Sequence, residues 1–174
     1  MACDVLFTES SPHLGGQELQ LLQQMAALQA RGFAAALACR PGSEIAGVAS
    51  QRGLRTLELA LRRATDVSSL IALRRFIVDE GVRVVIGHSG HDANLGLLAG
   101  WSLSRRPRIL RAKTYLAGRN PSPWTHSRLV DAVLVPSAWL RNALVQAPGI
   151  RPERVAVLYP GIDFARLQLS LIHI

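Results

Sequence analysis

The sequence predicts an α/β fold: a doubly wound, Rossmann-like parallel sheet of about seven strands. Three observations carry that expectation. Short apolar runs alternate with amphipathic runs of helical period along nearly the whole chain, the pattern of βαβ units joined by right-handed crossovers. The run Val82 to Ile86 is apolar except for Arg83, as strands buried on both faces are. A chain of 174 residues, 49% hydrophobic and only 18% charged, suits one domain with a full core and argues against disorder.

The elements follow in order. Val5-Leu6-Phe7 is the first strand, and Pro12-His-Leu-Gly-Gly-Gln-Glu18 turns it into a helix beginning at Glu18, with Leu21, Leu22, Met25 and Leu28 on one face. Arg31-Gly32 closes that helix, Phe33 to Cys39 is the second strand, and Arg40-Pro41-Gly42 ends it. Ser43 caps a short helix carrying Ile45 and Val48, Gly53 stops it, and Leu54 to Leu59 is the third strand. Asp66 is the N-cap of a helix whose inward positions are Leu70, Leu73 and Ile77, with Gly81 as its stop.

The fourth strand, Val82 to Ile86, leaves through Gly87-His-Ser-Gly-His-Asp92 into a helix from Ala93 to Leu103. Ile109 to Ala112 is the fifth strand and exits through Lys113-Thr114-Tyr115. Gly118, Asn120, Pro121 and Pro123 make 116–123 a loop, and Trp124 to Arg128 forms a helical turn. Asp131 to Val135 is the sixth strand, Ser137 caps a helix from Ala138 to Gln146, Pro148-Gly149 breaks it, and Arg154 to Leu158 is the seventh. These elements make one domain, residues 1–168; residues 169–174 fit no element and read as a non-native tail.

The formal net charge is +8, supplied by scattered arginine pairs, with Lys113 the only lysine. Such a balance favours anionic partners, either a phosphate-bearing substrate or a peripheral contact with an anionic membrane. Aromatics are 5% of the chain and the arginines form no dense run, so no nucleic-acid partner is expected. No apolar run is long enough to span a bilayer and Met-Ala-Cys-Asp lacks the features of a secretory signal, which places the expectation in the cytoplasm, at the inner face of the membrane if peripheral. Cys3 and Cys39 sit in or beside apolar runs without ligand-spaced partners and read as reduced core thiols.

In a doubly wound sheet the ligand lies outside the carboxyl ends of the strands, where strand order reverses. Four polar exits should therefore converge: the Gly15-Gly16 turn, His88 to Asp92, Lys113 to Tyr115, and Pro136-Ser137. Gly15 and Gly16 lack Cβ atoms, which permits positive φ and close approach of a phosphate or sugar to helix-terminal amides; the alternative is that they only make the turn. His88 and His91 suit hydrogen bonds to a sugar hydroxyl or phosphate better than a metal, because no third ligand is spaced nearby, and Asp92 suits a helix N-terminus. Lys113, a compact ammonium at a strand end, suits a phosphate or an acidic sugar. A dinucleotide fingerprint and a Walker loop are both missing, so NAD binding and ATP hydrolysis by those routes are not expected.

Set in order, the Gly15-Gly16-Gln17-Glu18 turn, His88-Ser89, Asp131-Ala-Val-Leu-Val-Pro-Ser137 and Arg154-Val-Ala-Val-Leu-Tyr-Pro-Gly-Ile-Asp163 resemble the N-terminal domain of a family-4 glycosyltransferase of the GT-B fold, as far as about Leu167. The resemblance implies retaining transfer of a sugar from a nucleotide-sugar co-substrate to a surface-glycan or lipid-linked acceptor, with no metal and no other cofactor. It implies that Gly15 and Gly16 face the donor phosphates and the transferred sugar, while His13, Glu18, His88, His91, Lys113 and Tyr115 contact the acceptor. Two departures stand out. Lys113-Thr114-Tyr115 replaces the histidine usual after the fifth strand, so no catalytic residue is assigned, and Tyr159-Pro160-Gly161 lacks the usual asparagine. The family's donor-binding C-terminal domain is missing, so the fragment alone is expected to be inactive. The competing expectation is a non-catalytic nucleotide- or sugar-phosphate-binding module.

Overall fold

The structure, a computed structural model, describes residues 2–88, 90–116 and 121–161; Ser89, the loop tip at 117–120 and the tail expected to be non-native lie outside the described residues. Seven strands form one sheet: β1 (Val5–Glu9), β2 (Ala35–Cys39), β3 (Arg55–Glu58), β4 (Val84–Gly87), β5 (Arg108–Ala112), β6 (Ala132–Val135) and β7 (Val155–Val157). Five helices connect them: α1 (Gly16–Gln29), α2 (Glu44–Gln51), α3 (Val67–Glu80), α4 (Gly90–Trp101) and α5 (Ala138–Val145). The order is β3-β2-β1-β4-β5-β6-β7 and every pairing is parallel. Strand order therefore reverses between β1 and β4, and that junction is the expected ligand crevice.

The predicted caps form as their chemistry requires. Ser43 accepts from Ala46 N, Asp66 from Ser69 N at 3.2 Å, and Ser137 from Leu140 N at 3.1 Å. Gly81 closes α3 at φ 67°, in the left-handed region that glycine enters without a Cβ clash. Boundaries moved where polar side chains found partners. β1 runs on through Thr8 and Glu9, both buried, and α4 begins three residues early, so His91 and Asp92 belong to its first turn.

Alternate residues of each strand feed opposite cores. Val5, Phe7, Leu37 and Cys39 pack with Leu21, Leu22 and Met25 of α1 and Ile45 and Ala49 of α2. Leu6, Ala38 and Val85 pack on the other face with Leu73 and Ile77 of α3 and Leu95 and Ala99 of α4. Ile109, in register with Val85 and so on the same face, joins Val133 and Val135 beneath Leu97 of α4 and Leu140 and Leu144 of α5. One face thus carries three helices and the other two. Over β5, β6 and β7 the α1 side has no helix among the described residues, and Leu110, Ala112 and Leu134 there are only half-buried.

α4 sits unusually close to the sheet. A Cβ on Gly87 would lie 2.4 Å from the Cα of Ala93, and one on Gly96 would lie 3.0 Å from Val85 Cγ1. These glycines let the start of α4 approach the β1–β4 junction, which brings Asp92 against β1. Cys3 and Cys39 are both buried free thiols, and burial raises both above the usual thiol range.

Candidate functional site

The carboxyl ends of β1, β4 and β5 lie side by side, as the sheet order requires. The first exit is organised by Glu9, which is fully buried. Ser11 N donates to its Oε1 at 2.8 Å and Gln17 Nε2 to its Oε2 at 2.6 Å. Gln17 in turn accepts at Oε1 from Thr114 Oγ1 at 2.7 Å. A continuous chain of hydrogen bonds, Glu9 to Gln17 to Thr114, therefore ties the glycine turn to the exit of β5 across the strand between them.

A second buried carboxylate backs the first. Asp92 is fully buried and accepts from Thr8 Oγ1 at 2.8 Å, Ser10 Oγ at 3.0 Å and His88 N at 3.2 Å. Three donors hold it at the start of α4, where the helix dipole also favours negative charge. Glu9 has fewer donors and lies near it. Burial, with the Asp92 charge adding to it, pushes the Glu9 carboxyl up to about 7.

The glycine turn differs from expectation in one respect. Neither glycine uses positive φ; Gly15 is extended, at φ −121° and ψ −167°, as an N-cap residue is. Its amide donates to Glu18 Oε2 at 2.8 Å, so Glu18, buried, closes the helix terminus on itself. The amides of Gly16, Gln17 and Glu18 have no hydrogen-bond partner among the described residues and are the positive end of a fourteen-residue helix. Space differs too: a Cβ on Gly15 would stand 3.0 Å from Glu18 Oε2, while one on Gly16 would meet nothing within 4 Å.

Beside this turn a groove runs between α1 and the exits of β4, β5 and β6, lined by Gln20, Gln24, His88, Lys113, Thr114 and Pro136. His88 stacks on Phe7, ring centroids 5.9 Å apart, and its Nδ1 is buried without a partner among the described residues. Burial drives its imidazole down to about 4, so it is neutral at pH 7. Lys113 is half-buried, its Nζ 6.0 Å from the Tyr115 ring centroid, and burial with the nearby Arg111 charge lowers its ammonium.

Of the residues singled out in the sequence, His88 and Lys113 share the groove, and Gly15, Gly16 and Glu18 adjoin it through Gln17. His13 is exposed and faces Glu44 of α2 at 3.5 Å. His91 is exposed on the first turn of α4, and Tyr115 is exposed at the end of β5. Sequence reasoning missed Glu9, Gln17, Thr114, Arg111 and His126. Glu9 had a signal, a carboxylate ending an otherwise apolar run. His126 had none, since a lone histidine on a single helical turn carries no motif.

Residues 14–166 match the model of Glycosyltransferase Family 4. The chain belongs to that family. Among solved structures, the family-4 chain is similar to a glycosyltransferase from Rickettsia africae ESF-5 (15% identity, TM-score 0.73, covering 97% of this chain and 47% of that one). It is similar to Anabaena HepE in complex with UDP (18%, 0.73, 93% and 45%). It also resembles the lipopolysaccharide outer core galactosyltransferase WaaB (11%, 0.67, 91% and 45%). At these identities the likeness shows the Rossmann-like half of a GT-B fold. The chain spans about half the length of each of these structures. No curated protein matches it. Among the described residues, no helix is long and apolar enough to cross a membrane.

Proposed function

We propose that this chain is the N-terminal, acceptor-binding half of a retaining glycosyltransferase that moves a sugar from a nucleotide-sugar donor to a surface-glycan or lipid-linked acceptor. The observation that carries the reading is the Glu9–Gln17–Thr114 chain. It sets the free amides of Gly16, Gln17 and Glu18 beside the groove that holds His88 and Lys113.

The free amides suit the diphosphate of the donor: partial positive charge is fixed there at no cost in side-chain ordering. UDP in the HepE structure supports that donor class, and the lipopolysaccharide in WaaB's name supports a surface-glycan acceptor. His88, neutral, offers ring nitrogens to a sugar hydroxyl, and Lys113 offers charge. His13, His91 and Tyr115, all exposed, are assigned to the outer part of a larger acceptor, and the buried Glu18 to holding the turn. The reading takes no metal and no cofactor besides the nucleotide sugar. The surplus of arginine suits peripheral contact with the anionic inner face of a cytoplasmic membrane. Most of the donor nucleotide would be held by a second Rossmann-like domain of a longer polypeptide, so the 174-residue chain alone would not catalyse transfer.

Two measurements test this. The gene's reading frame beyond codon 168 should continue into a second Rossmann-like domain; a natural stop there would favour a self-contained sugar-phosphate binder. Calorimetry of the chain with a panel of nucleotide sugars should show weak or no binding, and tight binding of one donor would contradict the division of labour.

A further inference from the structure

Two basic side chains at the end of β5 make no ion pair among the described residues. Arg111 is half-buried and donates from Nη1 to Asn94 Oδ1 at 3.1 Å and to the Thr125 carbonyl at 3.5 Å, both neutral. Lys113, two residues on, makes no ion pair, and neither does Arg111, among the described residues. The ion pairs of the described residues draw on Arg55, Arg83, Arg106, Arg108 and His13, and in a chain of net charge +8 many basic groups go unpaired; Arg111 and Lys113 differ in lying two residues apart, both half-buried, at a strand's carboxyl end.

A third basic group faces the same two. His126, on the π-helical turn Trp124–Arg128, is 5% exposed. Its Nδ1 lies 3.1 Å from the Ser122 carbonyl. Thr125 Oγ1 also lies 3.1 Å from Nδ1; with the proton on Nδ1 and donated to the carbonyl, which only accepts, Nε2 is a bare lone pair. That Nε2 is buried and has no partner among the described residues. Burial, then the Arg111 and Lys113 charges, push the ring down to about 4. The groups facing it are thus Arg111 and Lys113 from β5, with Asp92 of α4 reaching Arg111 and Arg128 on its own turn stacked over Trp124.

A guanidinium with only the more distant Asp92 as counter-charge and an ammonium with no ion-pair partner among the described residues are costly to hold half-buried, and a bound anion would offset that cost. We propose that Arg111, Lys113 and His126 form a receiving site for a phosphoryl group, which makes the acceptor an anionic one bearing phosphate or pyrophosphate and not a neutral glycan. The guanidinium supplies a planar fork, the ammonium a point charge, and the imidazole a third donor once Nε2 takes up a proton on binding. This deepens the acceptor-side reading above and rests on it for the word acceptor; anion binding itself does not.

The test is NMR of the 174-residue chain with ¹⁵N-labelled imidazoles, titrated with inorganic phosphate, with pyrophosphate, and with vesicles of phosphatidylglycerol against phosphatidylcholine. Phosphate or pyrophosphate should move the His126 ring signals and raise its titration midpoint. Lys113→Met should weaken binding by roughly tenfold, the usual loss for one charge-assisted hydrogen bond, while Lys113→Arg should restore most of it. A response only to phosphatidylglycerol vesicles would assign the site to a lipid headgroup as the source of the phosphate. Lys113 makes no side-chain hydrogen bond among the described residues, so its variants should fold. An unmoved His126, or binding equal in wild type and Lys113→Met, overturns the site. Failure of the broader reading looks different: phosphate would still bind here while no sugar transfer accompanied the longer polypeptide. Transfer to a neutral glycan unaffected by Lys113→Met would leave that reading standing and remove this one.

Discussion

At the scale of single residues, the two adjacent glycines separate structure from function. Gly15→Ala places a methyl 3.0 Å from Glu18 Oε2 and disturbs the cap, so it should cost about 1 kcal/mol in thermal or urea unfolding. Gly16→Ala meets open space and, at the first helical position, should be neutral or slightly stabilising. If Gly16 matters because a ligand approaches its backbone, Gly16→Ala will lose ligand binding with stability intact. The buried titratable groups give a second prediction, with its sign set by burial. Glu9 is held up to about 7 against an ordinary value of 4.5, so the folded state keeps a proton that the unfolded chain gives up. Its contribution to stability is present below about pH 4.5 and lost as pH rises to about 7, a change of roughly 3 kcal/mol. Glu9→Gln should therefore gain stability relative to wild type across that window in urea unfolding at a series of pH values; a difference that stays flat would mean Glu9 is ionised in the fold. His88 and His126, held down to about 4, act in the opposite sense, favouring the fold at pH 7 and losing that advantage as pH falls from about 6.5 to 4.

At the scale of elements, the site depends on how closely α4 lies on the sheet. Gly87→Ala drives a methyl to within 2.4 Å of backbone at Ala93, which cannot yield as a side-chain tip would. Destabilisation of about 2 to 3 kcal/mol or more is expected in urea unfolding, with Gly47→Ala, in open space on α2, as the control that should not lose stability. Every strand and helix was legible in the sequence because apolar periodicity, Ser43, Asp66 and Ser137 as caps, and Gly81 as a stop are local signals. What was not legible is long-range. Thr8, Glu9 and Ser10 look like the end of a strand until Asp92 and Gln17 arrive from 8 to 84 residues away to satisfy them. His88 and Lys113 could be picked out from their places at strand ends, whereas Arg111 read as an ordinary strand residue and His126 as part of a helical turn. Their meaning lies in what surrounds them, neutral partners for Arg111 and an unpartnered buried Nε2 for His126 among the described residues, which only the packed structure reveals.

At the scale of the whole molecule, the two faces of the sheet are unequally covered among the described residues. Helices α3, α4 and α5 finish one face, while among the described residues no helix covers β5 to β7 on the other, with Leu158 45% exposed and Tyr159 67% exposed just past β7. The proposed function depends on the exits of β1, β4 and β5 forming one binding surface. Amide-resolved NMR of the chain titrated with a sugar pyrophosphate is the decisive test. Gly16, Gln17, His88, Lys113 and Thr114 should shift together along a single saturation curve. Shifts confined to the opposite, amino-terminal ends of the strands, around Arg83 and Arg105, would contradict it.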